Sequence, residues 1–203
     1  MRENAVTVTV LGGLVVAAVV FVASTLRVPE IPSYPPTPPA PAEVGAEKVG
    51  PVTVTVDASV GDRWVYFDLS RGSVVESPEP QEWDLAFRRY RIIVNGGPGF
   101  AGEGGVVGLP GVPFDSVVAV PETDYAVNPQ NGDSLNPVLE KWYEYSWTSH
   151  VLEPKPAVYA LRTADGRYAK FQILGYYCRG ARPGCVTIRY VYQGGGGLDV
   201  GTS

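Results

Sequence analysis

Within Pro51–Gln193 the apolar residues of several segments return at every second position, and no stretch in that span carries a helical period. Val52–Val56 reads VTVTV, a perfect alternation. A chain with that period places successive side chains on opposite faces, so it buries one face of a sheet rather than one stripe of a helix. Arg63–Leu69, RWVYFDL, is a second strand, stopped by Ser70-Arg71-Gly72. Trp83–Val94, WDLAFRRYRIIV, reads as a third, with a bulge or edge expected where the alternation breaks at Arg88-Arg89. The glycine-rich stretch Asn95–Gly111 reads as a loop, Asp115–Val120 as a short strand and Pro121–Pro137 as a long polar loop. The last three strands are Ala157–Thr163, Arg167–Tyr177 and Cys185–Gln193, the first two joined by the hairpin turn Ala164-Asp165-Gly166. With 24 glycines, 19 prolines and 12 tyrosines, the composition favours strands and turns. The expectation is an all-β, antiparallel β-sheet domain over 49–193, followed by a frayed glycine-rich tail at 194–203.

Ahead of that domain, Ala5–Ser24 reads AVTVTVLGGLVVAAVVFVAS, uncharged and about long enough to cross a ~30 Å hydrocarbon core as a helix. Residues 1–26 are therefore expected to be a transmembrane anchor, contacting the membrane through residues 5–24, or else a signal segment cleaved near Val22-Ala23-Ser24. One arginine on each side, Arg2 and Arg27, gives no orientation signal. Residues 27–48 contain the proline-dense run VPEIPSYPPTPPAPA, which favours an extended polyproline stalk holding the domain about 45 Å away. The expected location is the cell membrane, single-pass, with the domain outside the cytoplasm, in the periplasm or at the cell surface.

Charge and inventory exclude several functions. A net charge of -5 and the absence of any basic cluster beyond Arg88, Arg89 and Arg91 argue against nucleic acid. With two cysteines and one histidine, the chain cannot assemble a four-ligand zinc site of those types, and a serine triad would have only His150 to use. The glycine stretch lacks both a following helical period and the Gly-Lys-Ser/Thr of a phosphate loop. No carboxylate pair or nucleophile elbow stands out, so no enzyme is expected.

Cys178 and Cys185 lie in YYCRGARPGCVTIRY, where strand residues flank a turn containing Gly180, Pro183 and Gly184. Cysteines at a hairpin neck suit a disulfide, and such a bond persists in an oxidising compartment.

Several segments together carry a resemblance: YFDLSRG (66–72), WDLAFRRYRIIVNGG (83–97), FDSVVAVPETDY (114–125), WYEYSWTSHVLEPKPAVYALRTADGRYAKFQILGYY (142–177) and VTIRYVYQ (186–193). In that order they resemble the HmuY family of exported heme-binding proteins, over nearly all of residues 52–193. The resemblance implies an antiparallel all-β fold that grips heme at one end, heme as cofactor, and capture and relay without chemistry on it. Studied members use two side chains on the iron, often two histidines, whereas this sequence offers only His150.

His150 follows an aromatic run, and imidazole is a natural axial ligand of heme iron. Tyr143, Tyr145 and Trp147, with Trp142, could supply flat apolar walls. The alternative for His150 is a surface or hydrogen-bonded loop histidine. Trp83 reads as core and Asp84 as an acceptor for backbone donors. Two functions follow: a tethered heme-binding or heme-relay protein, or a β-domain that docks on a membrane or envelope protein complex without heme.

Overall fold

Most of the strands predicted from alternation are present in the computed structural model, which describes residues 2–25, 31–37, 48–129 and 135–202. In chain order they are β1 (Lys48–Asp57), β2 (Val65–Asp68), β3 (Ser73–Val75), β4 (Leu85–Arg88), β5 (Arg91–Val94), β6 (Gly105–Pro110), β7 (Tyr143–Tyr145), β8 (Leu152–Pro154), β9 (Ala157–Arg162), β10 (Tyr168–Cys178) and β11 (Arg182–Gln193). A five-stranded sheet runs β1-β11-β10-β9-β6, a four-stranded sheet runs β3-β2-β4-β5, and β7 pairs with β8. Every registered pair in the two larger sheets is antiparallel. The chain divides into two units: Met1–Ile31 with Tyr145–Val151, and Pro32–Glu144 with Leu152–Ser203.

Period two explains the core of the second unit. Phe67, Leu85, Phe87 and Ile92 of the small sheet and Phe171, Ile188 and Tyr190 of the large one are all buried. The two sheets meet where Phe67 and Tyr190 pack edge to face at 6.0 Å and the Tyr190 hydroxyl donates to the Leu69 carbonyl at 3.1 Å. The other face of the large sheet carries Val158, Ala160 and Val191, covered by Phe114, Val117, Val120 and Val200. Lys170, opposite Ala160 in the ladder, is fully buried there. Its ammonium donates to the carbonyls of Phe114 (2.9 Å) and Val117 (2.7 Å) and lies 4.4 Å from the Phe114 ring centre. Burial lowers its pKa, and those acceptors are what make the position tenable.

Four expectations change. Trp83–Val94 is a hairpin of β4 and β5 rather than one strand, because the chain reverses at Arg89 (φ 55) and Arg88 pairs with Arg91. The stretch Asn95–Gly111 contains β6, an edge strand of the large sheet. Residues 114–116 form a short 3-10 helix where a strand was expected over Asp115–Val120. The tail is docked: Val120 N–H donates to Leu198 O (3.0 Å), Val200 N–H donates to Val118 O (2.9 Å), and Val200 is wholly buried. A buried valine and two backbone bonds hold this glycine-rich segment in place.

In the first unit, α1 spans Arg2–Thr25. Its described side chains, residues 10–23, are all exposed. Among the described residues no helix is long and apolar enough to cross a membrane, so the expected span over 5–24 is not supported.

The expected stalk also differs. Residues 26–30 and 38–47 lie outside the described residues, but residues 32–37 lie against the large sheet. Ser33 makes a parallel bridge to Tyr177, and the Tyr34 ring occupies the space over Gly175, where an added Cβ would sit 3.2 Å from it. Thr37 N–H donates to Thr55 O (3.0 Å), and Thr55 N–H donates to Thr37 Oγ1 (2.9 Å). Prolines have no N–H to add to a ladder, and among the described residues the contacts are isolated ones at Ser33, Tyr34 and Thr37.

Cys178 and Cys185 form the expected disulfide, with Cα atoms 4.9 Å apart. Cys178 pairs in register with Arg182 and Cys185 with Asp57 of β1, so the bond crosses a bulged corner rather than a flat pair. Closing so short a loop removes modest chain entropy. Reduction is expected to lower stability by about 2.5 kcal/mol, read as a fall in the urea midpoint with reductant; an unchanged midpoint would exclude any stabilising role.

Candidate functional site

The segment Tyr145–Val151 gathers three of the sequence-predicted residues in one tight turn. Ser146 N–H donates to Val151 O (2.9 Å) and His150 N–H donates to Ser146 O (2.8 Å). The Ser149 hydroxyl donates to Ser146 Oγ (2.7 Å). This closure places His150 in the left-handed region at φ 56, a conformation that histidine adopts more readily than most side chains. The turn brings the Tyr145 hydroxyl to 2.5 Å from His150 Nδ1, with ring centres 6.0 Å apart. The Trp147 ring meets Tyr145 edge-on at 5.0 Å and is otherwise open, 82% exposed.

Tyr143 belongs to the other unit. It packs against Trp142 at 5.1 Å and Tyr90 at 6.0 Å. Burial first, then Tyr90 and Glu140, raise its hydroxyl pKa, which disfavours a phenolate there. Trp142 is wholly buried, its indole N–H donating to Tyr90 O at 2.8 Å, so it is core rather than a ligand wall.

The expected structural roles of Trp83 and Asp84 are seen: Trp83 is buried, and Asp84 accepts from Leu69 N–H and Ala164 N–H, both at 2.9 Å. Arg88 lies over the Trp64 ring at 4.5 Å, on the outer face of the small sheet. Among the described residues, one cluster of potential metal ligands forms, Asp57 with Cys178 and Cys185, and its sulfurs are committed to the disulfide. The bond between Tyr145 and His150 was not foreseen in the sequence; the signal available was their five-residue spacing across a Ser/Thr-rich turn, which allows an aromatic hydroxyl to return to the imidazole.

A family model described as HmuY protein matches residues 61–190. Among solved structures, the chain is similar to the apo form of an HmuY analogue from Tannerella forsythia (TM-score 0.58, 19% identity, 74% of this chain and 99% of that one). It is similar to a Bacteroides fragilis protein described as a lipoprotein (TM-score 0.57, 20% identity, 75% and 93%). It is also similar to a Bacteroides vulgatus protein described as HmuY-like and heme-binding (TM-score 0.56, 24% identity, 74% and 98%). These likenesses establish the fold. No curated protein matches the chain.

Proposed function

The chain belongs to the HmuY family, and from that membership we propose that it is a non-catalytic heme-binding or heme-relay protein, tethered by its N-terminal helix with the β-domain outside the cytoplasm. The observation that carries the reading is the state of His150. Its Nδ1 is tied to the Tyr145 hydroxyl, and its Nε2 has no hydrogen-bond partner among the described residues. Were Nε2 to hold iron, Nδ1 would carry the ring proton and donate a hydrogen bond to the Tyr145 oxygen, the kind of orienting contact that metal-bound imidazoles use. The chain could offer one imidazole to the iron, since the sequence contains one histidine. Trp147, packed edge-on against Tyr145, would supply an exposed aromatic plane. Heme would contribute an iron centre accepting one nitrogen and a flat apolar ring; the chain's part is to bind and orient it.

Export is supported by the disulfide, which needs an oxidising compartment. Tethering is supported by residues 10–23 of α1, whose exposed side chains include Leu11, Leu14, Val15, Val19 and Phe21.

Hemin titration of the full chain in detergent tests the binding. A shifted Soret band is expected at micromolar hemin, at least about tenfold weaker in His150→Ala, the equivalent of ~1.4 kcal/mol. A spectrum unchanged by hemin would sink the reading; an unaltered affinity in His150→Ala would remove His150 from it.

A further inference from the structure

The turn Tyr145–Val151 contains no Asp, Glu, Lys or Arg, yet its Trp147 is 82% exposed and its Tyr145 39%. A charge-free aromatic tip is unusual on a water-facing hairpin, where an exposed indole leaves apolar area wet. Several of the tip's polar groups pair within the tip. Two backbone bonds close the turn, Ser146 Oγ contacts Thr148 Oγ1 at 3.2 Å and receives the Ser149 hydroxyl at 2.7 Å, and Tyr145 engages His150. Such a tip can enter a less polar medium without orphaning these donors and acceptors. The same compact unit contains α1, whose described side chains are apolar and exposed. A medium that takes the helix is available to the turn.

We propose that the Trp147 tip seats in the headgroup region of the lipid bilayer that holds α1, a proposal that rests on the tethered reading above. Indole and phenol rings favour that layer, with the apolar ring inward and the N–H or O–H toward water. Because the tip has no Asp, Glu, Lys or Arg, its seating depends chiefly on apolar contact. It is insensitive to salt and needs no anionic lipid, unlike a basic surface patch.

The test uses the full chain in phosphatidylcholine vesicles, with and without acyl bromines near the carbonyl as quenchers. Trp83 and Trp142 are buried and Trp64 is partly buried, so the difference between the parent and Trp147→Ser isolates the exposed indole. The expected result is co-flotation with vesicles, with a Trp147 emission that moves to the blue, is quenched by the brominated lipid and is unchanged by added salt. Co-flotation with unshifted, unquenched Trp147 overturns the seating while leaving the tether intact. Failure to float overturns both. A blue shift that grows with protein concentration in the absence of vesicles assigns the tip to a protein contact and also overturns the proposal.

Discussion

Replacing Asp84 with alanine is expected to destabilise the domain by roughly 2–6 kcal/mol at pH 5, since two buried backbone N–H groups lose their acceptor and each costs about 1–3 kcal/mol. Those groups belong to Leu69 after β2 and Ala164 in the β9–β10 turn, so one carboxyl joins a small-sheet turn to a large-sheet turn. The carboxyl's pKa is raised from 3.8 to about 7, first by burial and then by Asp68, against the pull of the two N–H groups. No cation is among the causes: the nearby Arg71 pairs instead with Asp68 (3.2 Å) and Glu82 (2.8 Å). A raised carboxyl pKa means that the fold prefers the neutral form. Its contribution is therefore full below pH ~4, where the unfolded chain is also protonated, and is lost as pH climbs toward ~7. A shift of about three units at ~1.4 kcal/mol each corresponds to a decline on the order of 4 kcal/mol. Urea midpoints should accordingly fall between pH 5 and pH 8. Asp84→Asn should flatten that dependence, and the gap between parent and Asp84→Ala should narrow at pH 8. A parent midpoint that is constant from pH 5 to pH 8 would refute the titration of Asp84 in this window.

Gly96→Ala is expected to be the other severe change. A Cβ there would lie 1.7 Å from the Gly104 carbonyl oxygen, a backbone atom with no flexible end to move aside. The closeness is built by Asn95, whose side-chain amide donates to Pro80 O (2.8 Å) and Trp83 O (2.9 Å), while its carbonyl accepts from Gly104 N–H (2.8 Å). Gly97 is equally confined, its Cβ position lying 2.2 Å from Asn128 O. Alanine at 96 must part this segment from the one leading into β6, so a loss of ~3 kcal/mol or more is expected, at the upper end of overpacking costs. Gly111→Ala is the matched control: its φ of 71 is positive, but nothing lies within 4 Å. That change should cost only ~1–2 kcal/mol, the strain of a left-handed alanine. Equal thermal midpoints for the two variants would mean that the contact at Gly96 is not tight in solution.

These two sites mark where the sequence could be read and where it could not. Alternation located β1, β2, β9, β10 and β11, because a sheet with one buried face records its register in side-chain type. The disulfide and the Asp165-Gly166 turn were legible from local chemistry. The Asn95–Gly111 segment was not: glycines leave no pattern, and its order comes from Asn95 and from backbone contacts distant in sequence. The reversal at Arg89 carried no glycine or asparagine signal, and the docked tail depended on Val200 finding Phe114 and Val117 across the outer face. At the candidate site the sequence supplied the lone histidine and its aromatic neighbours. It did not separate Tyr143, held by Trp142 and Tyr90, from Tyr145, which holds the imidazole, because both sit in one alternating aromatic run.

The segment at Ser33–Thr37 has a mechanical consequence. Tension drawn through the N-terminal side of the chain reaches the Ser33–Tyr177 bridge and the reciprocal Thr37–Thr55 bonds before it reaches the ladder between β1 and β11. These few bonds act as a sacrificial fuse. Peeling them frees the chain from Ser33 to Thr37, roughly 17 Å of contour at ~3.3–3.6 Å per residue. That slack takes up displacement while the five-stranded sheet stays unstrained, and the bonds can re-form when the pull is released.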